Sequence, residues 1–163
     1  MGALELVRAR YGERCGYCGV AEGHLGATLT IDHHQPRSRG GSDDVENLVY
    51  CCARCNEYKG AYWHLSDAPG IALLHPGRDD LQAHLRMLFD GRLEGVTEEG
   101  DFFMHRLRLN RAQLIQYRTQ RRDEETKQAT LDTALQRVRD LEAQVESLTA
   151  ALRELESKIE RER

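Results

Sequence analysis

The sequence has no long hydrophobic run. Apolar stretches such as residues 71–74 are far shorter than the roughly 20 residues that a membrane-spanning helix requires. The N-terminal residues MGALELVRAR also lack the basic start and following apolar stretch of a secretory signal. We therefore expect a protein without membrane association, located in the cytoplasm, where thiols stay reduced.

An excess of positive charge is also missing, since the formal net charge is −4. Residues 123–163 hold 11 acidic and 7 basic side chains, whereas residues 1–122 hold 16 of each. A nucleic-acid-binding function therefore requires basic side chains that cluster locally. The central part of the sequence holds one such cluster: Arg37, Arg39, Arg54 and Lys59.

Proline and glycine are absent from residues 111–163. Because these residues are the strongest helix breakers, we predict one continuous helix with Asn110 as its N-cap. Within it, apolar residues recur every seven positions, and a second apolar set follows three positions later. The first set is Leu131, Val138, Val145, Leu152 and Ile159, and the second is Ala134, Leu141, Leu148 and Leu155.

This seven-residue repeat, which covers residues 131–159, predicts a coiled coil. The mixture of β-branched residues and leucine in the first set, with leucine dominant in the second, favours a parallel homodimer. The flanking residues Arg137 and Glu142 have the charge complementarity expected in such a dimer. A helical protein partner, or packing of the helix against its own chain, would bury the same apolar face.

The five cysteines include two Cys-x-x-Cys pairs. The pairs are Cys15 with Cys18 and Cys52 with Cys55. Four thiolates suit tetrahedral Zn²⁺ and leave no open coordination position, so the predicted zinc site is structural. Cys51 remains as a spare thiol, because only Cys52 has the required spacing to Cys55. The alternative is a set of reduced thiols without a metal.

The remaining secondary-structure signals predict a mixed α+β chain. The first part is predicted as helix, strand, long loop, strand and short helix, at residues 4–10, 29–31, 36–44, 48–50 and 56–62. The dipeptide Asp90-Gly91 between two apolar segments indicates a hairpin. Thr97, followed by two glutamates, starts a helix that is predicted to reach Leu109.

Asp32 and His33 directly follow the first predicted strand. A carboxylate oxygen is the ligand that a hard divalent cation prefers, and a neutral imidazole can accept the proton of an attacking water. A single histidine is more often structural, but this pair precedes a basic, glycine-rich loop and two asparagines. We therefore interpret Asp32 and His33 as an active-site pair.

Asn47, Asn56 and Lys59 each have two interpretations. Both asparagines are typical of turns and helix caps, but the side-chain carbonyl of Asn56 could also face Asp32 and share its cation. Lys59 lies three positions after Asn56, on roughly the same helix face. There it either contacts phosphate or is solvated.

These motifs together resemble the HNH endonuclease family, which has the ββα-metal fold. The matching residues are Cys15 and Cys18, the pattern DHxxPxSxGG from Asp32, the dipeptide Asn47-Leu48, and the pattern CxxCNxxKG from Cys52. By this resemblance, His33 is the general base and Asn47 orients it or its loop. Asp32 and Asn56 hold a catalytic Mg²⁺ or Mn²⁺ ion. The third letter of the family name is asparagine here rather than histidine, a variation common in the family.

Residue signals and resemblance together predict an α+β fold in three parts. Residues 1–62 form a zinc-stapled ββα-metal nuclease core, residues 63–109 a small hairpin/helix extension, and residues 110–163 the long coiled-coil helix. The resemblance implies hydrolysis of DNA phosphodiester bonds, as nicks or as double-strand breaks by a dimer, in a bacterial or phage-type protein. Three basic residues would then contact phosphates: Arg37, Arg39 and Lys59. The alternative function is a catalytically silent zinc module that binds nucleic acid or protein and is oligomerised by its coiled coil.

Overall fold

The computed structural model describes residues 2–64 and 70–162 of the 163-residue chain. Helices and strands within these ranges are, in order, α1 (Ala3–Arg10), α2 (Glu22–Leu25), β1 (Thr30–His33), β2 (Leu48–Cys51), α3 (Ala53–Lys59), α4 (Leu81–His84), β3 (Leu85–Met87), β4 (Leu93–Gly95), α5 (Glu98–Arg106) and α6 (Ala112–Arg161). The chain divides into two compact units, Met1–Thr119 and Gln120–Arg163.

An antiparallel hairpin of β1 and β2, followed by α3, positions the residues of interest. Thr30 pairs with Cys51 and His33 pairs with Leu48 at the two ends of the ladder. Short 3₁₀ turns at Arg37–Arg39 and Val45–Asn47 shape the loop that connects the strands. This strand–loop–strand–helix order, the four-cysteine cluster and the long C-terminal helix confirm the predicted α+β class.

Helix α3 begins three residues earlier than the sequence indicated and ends at Lys59 rather than at residue 62. Cys52 is the N-cap, with extended backbone angles (φ −73°, ψ 151°). Cys52 and Cys55 therefore lie on one turn at the start of the helix, where their sulfurs come close together. Gly60 ends the helix with a positive φ of 55°, a conformation that glycine adopts readily.

The predicted second hairpin is present, since β3 and β4 pair antiparallel with Leu85 opposite Gly95. Gly91 in its turn has φ 81°. A β-carbon there would lie 2.5 Å from Oγ1 of Thr119, so glycine permits the close approach of α6. The Thr97 hydroxyl accepts a hydrogen bond from the Gly100 amide and caps α5, as predicted.

The prediction that Asn110 caps the long helix is wrong. The side-chain amide of Asn110 accepts a hydrogen bond from the Leu93 amide at 2.7 Å and donates one to the Leu93 carbonyl at 2.8 Å. Helix α6 begins only at Ala112. Helix α5 stops at Arg106 instead of reaching Leu109, and the chain turns at Arg108, which has φ 48°.

A single hydrophobic cluster joins the parts of the first unit. Val7 of α1, Val49 of β2 and Phe103 of α5 belong to it, and each is fully buried. Leu107 and Leu109, from the turn before α6, are buried in the same cluster. Burial of such side chains, worth about 1.5–3 kcal/mol each, holds the cysteine-bearing segments in place.

The second unit is the greater part of α6. The residues of the seven-residue repeat expose their apolar side chains to solvent, from 50% at Val138 to 65% at Leu148. No helix within the described ranges is long and apolar enough to cross a membrane.

Candidate active site and metal centre

The four paired cysteines converge on one point. The sulfur atoms of Cys15, Cys18, Cys52 and Cys55 all lie within 4.8 Å of one another. The Cys18 and Cys52 sulfurs are 3.9 Å apart, close to the roughly 3.8 Å expected between two ligands of a tetrahedral site with Zn–S bonds of about 2.3 Å. The predicted four-cysteine set is therefore confirmed, and its geometry fits a structural Zn²⁺ ion.

Backbone contacts shape the first cysteine pair. The Cys15 amide donates to the Val20 carbonyl at 2.9 Å, and the Gly19 amide donates to the Cys15 carbonyl at 2.7 Å. The Gly16 amide donates to the Tyr50 carbonyl at 2.8 Å, which attaches the turn to β2. Glycine is required at position 16, because a β-carbon there would lie 2.6 Å from the Tyr11 ring.

The sulfurs of the cluster lie close enough to shift one another's pKa values. Hydrogen bonds between sulfurs, first of all from Cys15, lower the pKa of Cys52. Hydrogen bonding to Cys15 raises the pKa of Cys18. By contrast, burial raises the pKa of Cys51, which is outside the cluster. Burial therefore favours the neutral thiol at the spare cysteine. Within the cluster, hydrogen bonding lowers the pKa of Cys52 but raises the pKa values of Cys18 and Cys55, so all four would become thiolates only when a metal ion displaces their protons.

Asp32 on β1 is a buried carboxylate held from two sides. The Tyr17 hydroxyl donates to its Oδ2 at 2.6 Å. The Lys59 ammonium lies 3.0 Å from Oδ2 and 3.2 Å from Oδ1. Burial raises the pKa of Asp32, whereas the Lys59 charge and the Tyr17 hydrogen bond lower it. These two partners counteract the cost of holding an ionised carboxylate out of water.

The predicted phosphate contact of Lys59 is wrong in this structure. Lys59 has no solvent exposure, and its ammonium also donates to the carbonyls of His33 at 2.8 Å and Gly60 at 3.3 Å. Lys59 lies on the side of α3 that packs toward β1, so its ammonium pairs with a carboxylate inside the protein rather than with a ligand at the surface. It acts as the internal counter-ion of Asp32.

His33, the last residue of β1, contacts the loop between the strands. Its Nε2 lies 2.6 Å from Oδ1 of Asp43. A carboxylate accepts hydrogen bonds only, so Nε2 donates to Asp43 in the tautomer that carries its proton on Nε2. In the other tautomer, Nε2 accepts a hydrogen bond from Nε of Arg37, which lies 3.2 Å away. Hydrogen bonds from His33 and then from Arg37 lower the pKa of Asp43, which keeps that carboxylate ionised.

Arg37 and Arg39 lie on the same loop, in the 3₁₀ turn Arg37–Arg39. The Arg37 guanidinium contacts Asp43 at 2.6 Å and 2.8 Å, and its side chain is 67% exposed. Arg39 is also exposed. Both side chains are therefore accessible to a nucleic acid, with Arg37 also tied to the His33–Asp43 pair.

Asn47 braces the loop. Its side-chain oxygen accepts a hydrogen bond from the Gln35 amide at 2.8 Å, and its side-chain nitrogen donates to the carbonyls of Gln35 at 3.0 Å and Ser42 at 2.7 Å. Glycine is required at position 41, since a β-carbon there would lie 1.8 Å from the Gln35 carbonyl oxygen. Asn47 thus fixes the two ends of the segment that carries Arg37.

Asn56 occupies α3, the helix that also carries Lys59. Within the described ranges its side chain makes no hydrogen bond. Asp32 has about four lone-pair positions on its two oxygens, and Tyr17 and Lys59 occupy only part of them. A carboxylate oxygen and an amide oxygen are a donor set that fits a hard divalent cation.

Sequence reasoning missed two side chains that complete this site, Asp43 and Tyr17. Asp43 belongs to the SDD segment after the glycine pair, which the sequence indicated only as loop. The sequence signal for Asp43 is its position: it is an acidic residue in the loop that starts at the candidate base His33 and leads back to the second strand. Tyr17 lies between Cys15 and Cys18, and its contact with Asp32 depends on how the turn formed by residues 15–18 packs against β1.

Comparison with known proteins agrees with these motifs. Residues 15–61 match the family model described as HNH endonuclease. No curated protein and no solved structure matches the chain. The matched segment contains the four clustered cysteines as well as Asp32 and His33. The chain therefore carries, at residues 15–61, a domain of the HNH endonuclease family, as its motifs predicted.

Proposed function

We propose that this protein is a metal-dependent endonuclease that hydrolyses DNA phosphodiester bonds with His33 as general base. The observation that carries the proposal is the 2.6 Å contact between Nε2 of His33 and the Asp43 carboxylate. His33 directly follows Asp32 on β1, within the segment that matches the family.

The proton transfer follows from the tautomer of His33. In the tautomer that carries its proton on Nε2, His33 donates a hydrogen bond to Asp43, and Nδ1 is free to take a proton from the attacking water. The positive charge that then develops on the imidazole is stabilised by the Asp43 carboxylate, as an acidic partner stabilises histidine in hydrolytic triads. Asn47 supports this arrangement by fixing the loop that carries Asp43.

Asp32 and Asn56 would hold the catalytic Mg²⁺ or Mn²⁺ ion. When bound, such an ion neutralises the scissile phosphate and stabilises the departing 3′ oxygen. Lys59 and Tyr17 orient the Asp32 carboxylate and keep it ionised for this role. The products would be a 5′-phosphate and a 3′-hydroxyl group.

A structural Zn²⁺ ion would occupy the four-cysteine cluster. Cys15 and Cys18 come from the turn after α1, and Cys52 and Cys55 from the junction of β2 and α3. A tetrahedral ion closed by four thiolates has no position for substrate. Its function would be to hold the turn of residues 15–18 against the β1–β2 hairpin and so to place Tyr17 next to Asp32.

The DNA contacts would come from Arg37 and Arg39. Contacts of this kind position the phosphate backbone without reading sequence. Because residues 1–122 carry balanced charge, a single copy would bind DNA weakly. A parallel homodimer through the exposed repeat of α6 would raise the effective concentration of the second site and permit cleavage of both strands. A helical partner protein is the alternative occupant of that surface.

The test of the proposal is cleavage of supercoiled plasmid with Mg²⁺ or Mn²⁺. Wild type, His33→Ala and His105→Ala are compared. His105 is an exposed histidine on α5 that, among the residues the structure describes, forms an ion pair only with Asp101. We expect nicked plasmid from wild type and His105→Ala, and none from His33→Ala or after addition of EDTA. Equal cleavage by His33→Ala and wild type would overturn the assignment of the base.

A catalytically silent zinc module is the second candidate function. One observation favours it: both oxygens of Asp32 already accept hydrogen bonds from the protein. Zinc-loaded wild type that binds DNA or a protein but cleaves no DNA with any divalent ion would establish this function instead.

A further inference from the structure

An arginine from the turn before α6 contacts the cysteine cluster. The Nη2 atom of Arg111 lies 3.6 Å from the sulfur of Cys55 and 3.9 Å from that of Cys52. Its Nη1 atom donates to the carbonyls of Leu107 and Arg108, both at 3.2 Å. The guanidinium is therefore fixed on one side by the turn and directed at two sulfurs on the other.

Charge explains what this contact does once a metal is bound. Four thiolates around Zn²⁺ carry a net charge of −2, which is costly to hold in a partly buried site. A guanidinium remains protonated under all ordinary conditions and donates several N–H bonds from a rigid plane. N–H donation to a thiolate sulfur stabilises the deprotonated form, which is the form that ligates the metal.

We propose that Arg111 is an outer-shell residue of the zinc site, which neutralises the Cys52 and Cys55 thiolates and slows the loss of the ion. The proposal rests on occupancy of the four-cysteine cluster by Zn²⁺. Arg111 is 56 residues from Cys55 in sequence. The contact therefore makes the anchoring of the α5–α6 turn depend on the metal, and the stability of the metal depend on that turn.

The chain offers a matched control in Arg108. Its guanidinium lies 4.7 Å from the centre of the Tyr58 ring, while that of Arg111 lies 5.7 Å from the same ring. Both arginines thus pack on one aromatic side chain of α3. Within the described ranges only Arg111 reaches the sulfurs. Arg108→Met removes the stacking of a guanidinium on Tyr58 alone. Arg111→Met removes the stacking, the two sulfur contacts and the hydrogen bonds to the carbonyls of the turn.

The experiment measures the rate at which the full-length, zinc-loaded protein releases the ion to an excess of a chromogenic chelator at pH 7. Removal of outer-shell partners typically weakens metal binding about 10- to 100-fold. We expect Arg111→Met to release zinc faster by a factor in that range, Arg111→Lys by an intermediate factor, and Arg108→Met at the wild-type rate. Far-UV circular dichroism confirms that each variant is folded before the rates are compared.

The Co²⁺-substituted protein supplies a readout that a merely structural role would not change. Loss of an N–H donor to a thiolate moves the sulfur-to-cobalt charge-transfer band to lower energy, so Arg111→Met should shift the band and Arg108→Met should not. Equal release rates and unshifted bands in both methionine variants would refute the role of Arg111. If Arg111→Met does not fold, an Arg111→Lys variant with the wild-type rate and band would refute it equally. Wild type that binds no zinc would instead refute the zinc proposal, and the role of Arg111 with it.

Discussion

The Nζ atom of Lys59 lies 3.0 Å from Oδ2 of Asp32, and both side chains are removed from solvent. Lys59 also donates to the carbonyl of His33, the residue next to Asp32. One ammonium group therefore joins α3 to the end of β1 at the residues that we assign to catalysis. This ion pair is the tertiary contact on which the site depends most directly.

Replacement of Lys59 by methionine should strongly destabilise the fold. The variant leaves the buried Asp32 carboxylate without its counter-ion, and breaking a buried pair in this way typically costs about 3–5 kcal/mol. Guanidinium unfolding followed by circular dichroism, on zinc-loaded protein, measures the change. The double variant Lys59→Met with Asp32→Asn should recover part of the loss. A single variant as stable as wild type would contradict the importance of the pair.

Replacement of Asp43 by asparagine should reduce nicking activity by about 100-fold, within the range by which positioned acid–base groups accelerate reactions. The amide can donate as well as accept, so it no longer favours the tautomer with the proton on Nε2, in which Nδ1 is the free base. The control is Asp44→Asn, because Asp44 pairs with Ser42 and makes no contact with His33. Rates on supercoiled plasmid at saturating Mn²⁺ give the comparison. Equal rates for the two variants would exclude a specific function of Asp43.

The exposed repeat of α6 predicts self-association. Leu148→Glu places a charge at a position expected in the dimer seam, whereas Ala143→Glu changes the opposite, solvent-facing side of the heptad. Size-exclusion chromatography with light scattering at tens of micromolar should give dimers of wild type and Ala143→Glu, and monomers of Leu148→Glu. A monomeric wild type would contradict the homodimer and leave a helical partner protein as the candidate that covers the apolar repeat of α6.

The orientation of the helices can be tested with the flanking charges. In a parallel dimer Arg137 of one copy lies near Glu142 of the other, because these positions flank the seam five residues apart. Arg137→Glu should therefore weaken the dimer, and Arg137→Glu combined with Glu142→Arg should restore it. Sedimentation equilibrium at low salt measures the dimer dissociation constants of wild type and both variants. An absence of restoration in the double variant would argue against the parallel arrangement.

Acidification below pH 6.5 should destabilise the protein partly through His75. Burial lowers the pKa of this imidazole to about 4, so the folded protein keeps it neutral while the unfolded chain protonates it at its ordinary pKa near 6.5. The unfolded state thus binds more protons between these two values, and stability falls as pH falls.

The matched variant is His75→Asn, whose side-chain oxygen can accept the Gly77 amide hydrogen bond that Nδ1 of His75 accepts at 3.1 Å. Unfolding free energies at pH 6.5 and pH 4.5 should differ less for this variant than for wild type. Since both proteins carry the same cysteine cluster, acid-dependent loss of metal affects them alike. An identical pH dependence would show that His75 does not contribute.

Short-range patterns in the sequence predicted much of this fold correctly. The Asp90-Gly91 turn, the Thr97 cap and the absence of helix breakers after Asn110 each act through a few neighbouring residues. The four cysteines were also identifiable, because the two matched spacings restrict the sulfurs to one small volume. The strands of the first hairpin were also placed to within one or two residues, because they are short runs of β-prone residues.

The contacts of the site itself required the tertiary structure. Sequence spacing placed Lys59 on the face of Asn56, but packing of α3 toward β1 buries its ammonium against Asp32. Asparagine is a residue type common at helix caps, yet the side-chain oxygen of Asn110 accepts a hydrogen bond from the amide of Leu93, 17 residues away. Such partners are selected by the overall burial of apolar side chains, which no local pattern encodes.

The sequence by itself determined which chemical groups this protein has for metal binding and proton transfer, because residue type and spacing specify them. It determined the long helix and its apolar repeat for the same reason. Only the tertiary structure decided that Asp43 rather than another acid contacts His33, that Lys59 serves Asp32 rather than phosphate, and that Arg111 reaches the cysteines. These pairings join residues brought together by loops and by the common core, so their energies depend on packing across the whole first unit.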